Sequence, residues 1–340
     1  MKKTIKINFQ NFWEGFDPEN NLFINTLRKK YSPILSKDPD FVFYSVYKKK
    51  STTETLHKKG DFLRKISPNM YIFLKKIYSQ RDILKKRKTF APNGNFIKIL
   101  YSAENEFPRM EDCDWAFGSH PEEIVRNKSY LRVAPYIIDN PNLDRNQTLP
   151  FRRTVDYKKI IEEKTKFCNF IYSQDISRRN GFFKKLRKYK KIDAPGRCMN
   201  NSPPIKNKSS RASRLSTNWV KDKLLFIKKY KFSIAFENEI SPGWITEKLT
   251  HPLLVNSIPI YVGTESVREY FNEKCFINRN DFKSTKKFIQ HIIEVDKNDE
   301  LYLNYLSQPF FKNKRQYENS AGNEFIARLD KIIELGNRKS

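Results

Sequence analysis

The stretch Tyr230 to Gly263, YKFSIAFENEISPGWITEKLTHPLLVNSIPIYVG, concentrates groups able to hold a phosphorylated ligand. Thr246 precedes Glu247, Lys248 and the apolar residues Leu249, Leu253 and Leu254, so a helix is predicted to start there. The first turn of a helix presents free N–H groups and a partial positive charge. Lys248 adds a full cation in that turn, against the dipole preference, and a cation so placed suits a phosphate. Glu247 beside it cannot face a phosphate, but a carboxylate accepts well from paired sugar hydroxyls. Phosphate and ribose together make a nucleotide. The same residues also fit an ordinary helix start with solvated charges.

Two strands must carry that helix. Lys231 to Phe236 is a short apolar run, too short for a helix, and reads as a buried strand. A polar loop, Glu237 to Gly243, follows it, with Pro242 and Gly243 as breakers. Ile258 to Val262 is a second strand, closed by Gly263. Strand, loop, helix and strand in this order belong in a parallel α/β sheet. Such sheets bind ligands at the carboxyl ends of their strands, where the loop lies.

FENEISPGWITEKL and the later IPIYVG resemble the signature of the α-1,3/4-fucosyltransferases, glycosyltransferase family 10. In that family FEN, a short loop, an aromatic residue, a hydrophobic residue, TEK and PIYxG follow in this order. Other segments fit the same order: NFWEGFDPENNLF near the start, SAEN after a strand, DWAFG, YLR with a later Pro-Tyr, KFCNFIYS, DAPGRC, and CFIN with DF. The resemblance runs from about Ile5 to Leu306 and implies the GT-B architecture, an α/β fold of two Rossmann-like domains facing a cleft. The first domain, residues 1–155, would hold the acceptor, and the second, 156–316, GDP-fucose. Residues 317–340 would form a terminal helix that packs back across.

The resemblance also implies roles. Glu104 of SAEN carries the catalytic carboxylate, a general base, with Ala103 standing where the family has Gly. Arg179 contacts the donor phosphates, with Arg178 as a register-shifted alternative, and Lys248 joins it. Glu247 takes the ribose hydroxyls. Trp244 lies beside the nucleotide, where the family commonly has Tyr; an indole N–H donates but cannot accept. Asn238 belongs to the donor set and, with Glu237, shapes the loop. Arg197 and Asn200, of DAPGRCMN, approach the donor. The implied reaction is an inverting transfer of L-fucose from GDP-fucose to a hydroxyl of an acceptor glycan, α-1,3 to GlcNAc or Glc, without a required cofactor or metal. The sequence leaves open another nucleotide-sugar donor.

Elsewhere the pattern is ordinary α/β. Ile5 to Phe9, Phe41 to Val46, Ile97 to Tyr101, Asp114 to Phe117 and Lys166 to Ser173 read as strands. Asp17-Pro18 is predicted to open a helix with Phe23, Leu27 and Tyr31 on one face. Trp13 and Phe16 read as core packing. Ser177 to about Tyr189, Trp219 to Ile227, Ser266 to Phe271, Ser284 to Val295, Asp299 to Leu306 and an amphipathic segment carrying Phe325, Leu329, Ile332 and Ile333 read as helices. A basic insertion, about 48–96, holds a predicted helix from Pro68 to Leu84. Asn140 to Arg153 reads as an interdomain linker, and Lys206 to Arg214 as a mobile Ser- and Lys-rich stretch.

Sixty-six basic residues against 38 acidic ones give a net charge of +28, which favours association with anionic surfaces or nucleic acid. The basic residues spread along the chain, however, and no nucleic-acid recognition motif accompanies them. Asp112-Cys113-Asp114 has the Asp-x-Asp spacing that can share a divalent cation with a diphosphate. Asp114 also opens the DWAFG strand, and the metal reading is not adopted. The four cysteines have no metal-ligand spacing and read as reduced. No apolar run reaches membrane-spanning length, and the start reads as a strand, so a cytoplasmic location is expected.

Overall fold

A computed structural model describes residues 2–13, 16–47, 91–102, 104–138, 156–205, 217–320 and 322–336. Most of the basic insertion, the linker and the Ser- and Lys-rich stretch lie outside the described residues.

In chain order, the elements are β1 (Lys3–Gln10), α1 (Leu22–Leu27), β2 (Tyr31–Leu35), β3 (Phe41–Ser45), β4 (Ile97–Tyr101), β5 (Trp115–Gly118), α2 (Glu122–Val125), β6 (Tyr130–Arg132) and α3 (Pro135–Ile138). They continue with α4 (Tyr157–Glu163), β7 (Lys166–Asn169), α5 (Ser177–Leu186), β8 (Ile192–Asp193), α6 (Thr217–Ile227), β9 (Tyr230–Phe236), α7 (Glu247–Leu254), β10 (Ile258–Val262), α8 (Val267–Tyr270) and β11 (Ile277–Asn278). Four helices end the chain: α9 (Thr285–Lys297), α10 (Asp299–Ser307), α11 (Lys314–Ser320) and α12 (Asn323–Gly336).

The strands form two sheets, ordered β2-β1-β3-β4-β5-β6 and β11-β10-β9-β7-β8. Every described pairing is parallel. Each order reverses once, between β1 and β3 in the first sheet and between β7 and β9 in the second. At such a reversal the connections leave to opposite sides and open a crevice beyond the strand ends.

Strand alternation splits the first sheet between two cores. Ile7, Phe43, Ile99 and Phe117 pack on one face with Phe23 of α1. Tyr44, Leu100, Ala116 and Tyr130 pack on the other. The second sheet divides likewise. Phe232, Ile234 and Phe236 meet Phe182 and Phe183 of α5, while Ala235 and Tyr261 meet Leu249 and Leu253 of α7.

The last helix returns to the first sheet, as expected. Phe325, Leu329, Ile332 and Ile333 are buried in the same core as Ile5, Phe23 and Phe117. Phe325 meets Phe23 and Phe117 at ring distances of 5.7 and 5.1 Å. Lys30 pairs with Asp330 at 2.5 Å on the rim of this contact.

Several expectations need correction. The first helix starts at Leu22, not at Asp17-Pro18. Asn21 supplies the cap by accepting from the Ile24 N–H, while Asp17 accepts from the Glu19 N–H inside a turn. Tyr31 is not on that helix; it opens β2, an edge strand not foreseen. The strand expected over Lys166 to Ser173 ends at Asn169, and that expected from Asp114 starts at Trp115.

Candidate active site at the facing strand ends

The carboxyl ends of the two sheets face each other. Asn105, beyond β4, donates its side-chain amide to Glu239 Oε2 in the loop after β9, at 2.9 Å. Arg132, at the end of β6, donates through Nη2 to the carbonyl of Gly243 in the same loop, also at 2.9 Å. Its guanidinium lies 3.6 Å from the ring centre of Tyr270 in α8. Gly243 has φ +75°, and a Cβ there would collide with the Ser119 carbonyl oxygen, so only glycine allows this approach.

On the second-sheet side, Glu237 closes β9 and is buried. It accepts from the Thr246 N–H at 2.8 Å and the Thr246 hydroxyl at 2.7 Å. Thr246 is the N-cap of α7, as the sequence predicts. Burial holds the Glu237 carboxyl above its ordinary value, against the pull of Lys248. Glu237 therefore fixes where α7 begins, a more specific task than shaping a loop.

Lys248 Nζ is 3.2 Å from Thr246 Oγ1, 3.5 Å from Glu247 Oε1 and 3.8 Å from Glu237 Oε2. Glu247 also pairs with Lys223 of α6 at 3.6 Å. Burial pushes the Glu247 carboxyl up, but Lys248 and Lys223 outweigh it and hold it well below the usual carboxylate range. Glu247 is thus an ionised acceptor, the state a ribose-binding carboxylate needs. His251, one turn along, is kept neutral: burial, Lys223 and Lys248 bring its pKa down to about 3.

Arg179, in the first turn of α5, is 1% exposed. Its guanidinium lies 3.6 Å from the Tyr172 ring centre and donates to Asn238 Oδ1 at 2.8 Å and to the Gln174 carbonyl at 2.6 Å. Its Nε is buried without a hydrogen-bond partner. Burial lowers its pKa, and no carboxylate pairs with it among the described residues. A buried guanidinium without a paired carboxylate is costly unless an anion completes it. Arg178 instead donates to the Glu237 carbonyl at 3.0 Å. The geometry favours Arg179 over the register-shifted Arg178 as the anion-facing group.

Tyr172, which motif reading passed over, is the keystone of this side. Its hydroxyl donates to the Ile234 carbonyl at 2.8 Å and accepts from the Phe236 N–H at 2.7 Å, bridging the β7 and β9 ends. The Cys198 N–H donates to the Tyr172 carbonyl at 3.0 Å, so the turn carrying Arg197 packs beside the same residue. Arg197 itself is exposed. Asn200 is occupied elsewhere: its amide donates to the carbonyls of Ala194, Gly196 and Ser202, so it holds its own loop rather than a ligand. Trp244 is 8% exposed, at the turn between the loop and α7. Lys223 could not be found by motif spacing, because α6 lies upstream of the signature.

On the first-sheet side, Glu104 is exposed just beyond β4, and the Tyr47 hydroxyl donates to its Oε1 at 2.5 Å. Its neighbour Asn105 makes the contact across to Glu239, so Glu104 stands at the gap. Asp112 and Asp114 lie at the opposite end of the strands. Asp112 pairs with Arg109 at 3.1 Å, and Asp114 accepts from the Lys98 N–H at 2.8 Å. No group of three or more His, Cys, Asp or Glu side chains able to hold a metal occurs among the described residues.

The family model for the alpha-(1,3)-fucosyltransferase FucT N-terminal domain matches residues 7–57, and that for the C-terminal part of glycosyltransferase family 10 (fucosyltransferase) matches residues 161–327. The chain belongs to glycosyltransferase family 10. This family 10 chain is 37% identical to a putative fucosyltransferase of Acanthamoeba polyphaga mimivirus over 163 residues, 48% of this chain and 27% of that protein. It is 28% identical to the alpha-(1,3)-fucosyltransferase FucT of Helicobacter pylori over 228 residues, 62% of this chain and 47% of that one. The family 10 chain thus matches less than half the length of either curated relative. A crystal structure of an alpha1,3-fucosyltransferase with GDP-fucose superposes with a TM-score of 0.67, at 21% identity, over 98% of this chain and 91% of that one. That likeness establishes the GT-B fold.

Proposed function

We propose that this protein is an inverting fucosyltransferase that moves L-fucose from GDP-fucose to a hydroxyl of an acceptor glycan. The observation that carries the reading is the buried Arg179, held by Tyr172 and Asn238 with no carboxylate pairing it among the described residues, and Lys248 bearing on the same Tyr172, across the gap from Glu104. Family membership and the GDP-fucose complex of the structural relative support this donor.

In the proposed reaction the acceptor hydroxyl attacks the anomeric carbon of fucose. Its proton passes to Glu104, the C–O bond to the β-phosphate breaks, and the bonding pair leaves with GDP. GDP-fucose is β-linked, so displacement from the opposite face yields an α-fucoside. A positioned base typically contributes about 10²–10⁴-fold. Charge grows on the leaving diphosphate, and fixed cations aimed there stabilise the transition state more than the ground state. Arg179 offers a two-pronged fork and Lys248 a point charge. Glu247 accepts from the ribose hydroxyls. These cations take the part a divalent metal plays elsewhere, so no metal is required.

The test is transfer from GDP-fucose onto an array of glycans, with and without EDTA. Fucosylation of GlcNAc- or Glc-containing glycans at the 3-hydroxyl, undiminished by EDTA, is expected. Transfer only from a different nucleotide sugar would overturn the donor assignment, and loss in EDTA the metal-free one.

A further inference from the structure

An exposed glutamate left alone samples many rotamers, and holding it in one costs side-chain entropy. A general base gains its effect only when held in reach of its proton. Glu104 is exposed, yet it is tethered: the Tyr47 hydroxyl donates to Oε1 at 2.5 Å. Among the described residues the Glu104 side chain makes no other hydrogen bond or ion pair; its carbonyl accepts from the Ser102 hydroxyl and the Glu106 N–H.

The tether is itself supported. Tyr47 lies just beyond β3, the neighbour of β4 in the sheet. Its ring meets Trp13 edge-on at 5.8 Å. Trp13 meets Phe12 and Phe16 at 5.6 and 5.2 Å, and those two rings stack at 4.0 Å. Phe12, Trp13 and Phe16 follow β1, the next strand over. Three adjacent strand ends, at the reversal of the first sheet, thus each give one link: an aromatic brace, a phenol and a carboxylate. A brace of packed rings keeps the phenol from turning away with the flexible carboxylate.

We propose that Tyr47 is a positioning residue for the transfer reaction, fixing Glu104 Oε1 so that Oε2 receives the acceptor proton. Tyr47 keeps its own proton throughout; its hydrogen bond holds the charged carboxylate in one direction. This inference rests on Glu104 being the base.

The test is steady-state kinetics of Tyr47→Phe with GDP-fucose and the best array glycan, alongside its melting temperature. The ring and its contact with Trp13 remain; only the donor hydroxyl is lost. A kcat lower by roughly 10- to 100-fold is expected, the scale of a small misplacement of a reacting group. KM for GDP-fucose and the melting temperature should stay as in the parent. The second arm repeats the substitution in Glu104→Asp, whose shorter carboxylate the phenol no longer reaches; there Tyr47→Phe should cost nothing further. A kcat within twofold of the parent, or an equal loss in the Glu104→Asp background, would overturn the positioning role. A changed melting temperature with unchanged kcat would make the bond a loop staple only. If Glu104→Gln turns over normally, or GDP-fucose is neither transferred nor hydrolysed, the base or donor reading fails instead, and this inference falls with it.

Discussion

Arg132 reaches from the end of β6 to the carbonyl of Gly243, 2.9 Å away in the other half of the molecule. Asn105 reaches the same loop at Glu239. The segment between β9 and α7 is therefore held from both sides: by Glu237 and Asn238 within its own half, and by Arg132 and Asn105 from the other.

Gly243→Ala tests that contact. The residue has φ +75° and no room for a Cβ against Ser119. Backbone strain of this kind costs about 1–3 kcal/mol. A lower melting temperature and weaker GDP affinity are expected together, since the contact and the loop are one piece. An unchanged melting temperature would mean the halves part freely there.

Replacement of the base separates chemistry from binding. Glu104→Gln keeps the shape and its acceptance from Tyr47 but loses the proton-accepting charge. Turnover should fall by about 10²–10⁴-fold, while calorimetry gives a GDP affinity near that of the parent. Retained turnover removes Glu104 from the base role.

The cations can be told apart by charge and by shape. Lys248→Ala and Arg179→Lys should each weaken GDP binding by roughly 10- to 100-fold, as loss of charge-assisted hydrogen bonds worth about 1.5–3 kcal/mol implies. Arg179→Lys keeps the charge and loses the fork. An affinity unchanged in both variants defeats the phosphate assignment.

His251 sets an acid limit. Its pKa is 6.5 when free and about 3 in the folded protein. The unfolded chain therefore takes up a proton below pH 6.5 that the folded chain refuses until about pH 3. Its stabilisation is complete above pH 6.5 and is lost as pH falls through that window, by about 1.4 kcal/mol per unit. His251→Gln should flatten this part of a denaturation-against-pH curve; an equally steep curve would assign the acid sensitivity to other groups.

Leu329 is fully buried in the core that α12 shares with the first sheet. Leu329→Ala should cost about 2–5 kcal/mol, read as a shift in the urea midpoint. A change within error would show that α12 docks without contributing to that core.

Much of the second half is legible in the sequence alone. The apolar run before Glu237, the breakers Pro242 and Gly243, and the Thr246 cap are local signals, and the chain obeys them. Asp17-Pro18 misled because the pair also suits a turn, and Asn21 captured the cap instead. β2 has no clear strand signal because Pro33 interrupts it, while Ile34 and Leu35 are both exposed, as an edge strand tolerates. Trp13 and Phe16, read as core, pack in an aromatic cluster that remains partly exposed at the crevice. The tasks of Tyr172, Tyr47, Lys223 and Arg132 had no local sign. Each depends on which strand ends the sheet order brings together, and spacing along the chain does not encode that.

Because α12 supplies part of the wall over the first sheet, that half cannot be finished as it leaves the ribosome. Ile5 and Phe23 must wait for Phe325 and Leu329, some three hundred residues later. Domains emerging first usually fold first. Here the first sheet stays partly bare until α12 is synthesised, so a nascent chain stalled before Asn323 would be a ready client for chaperones.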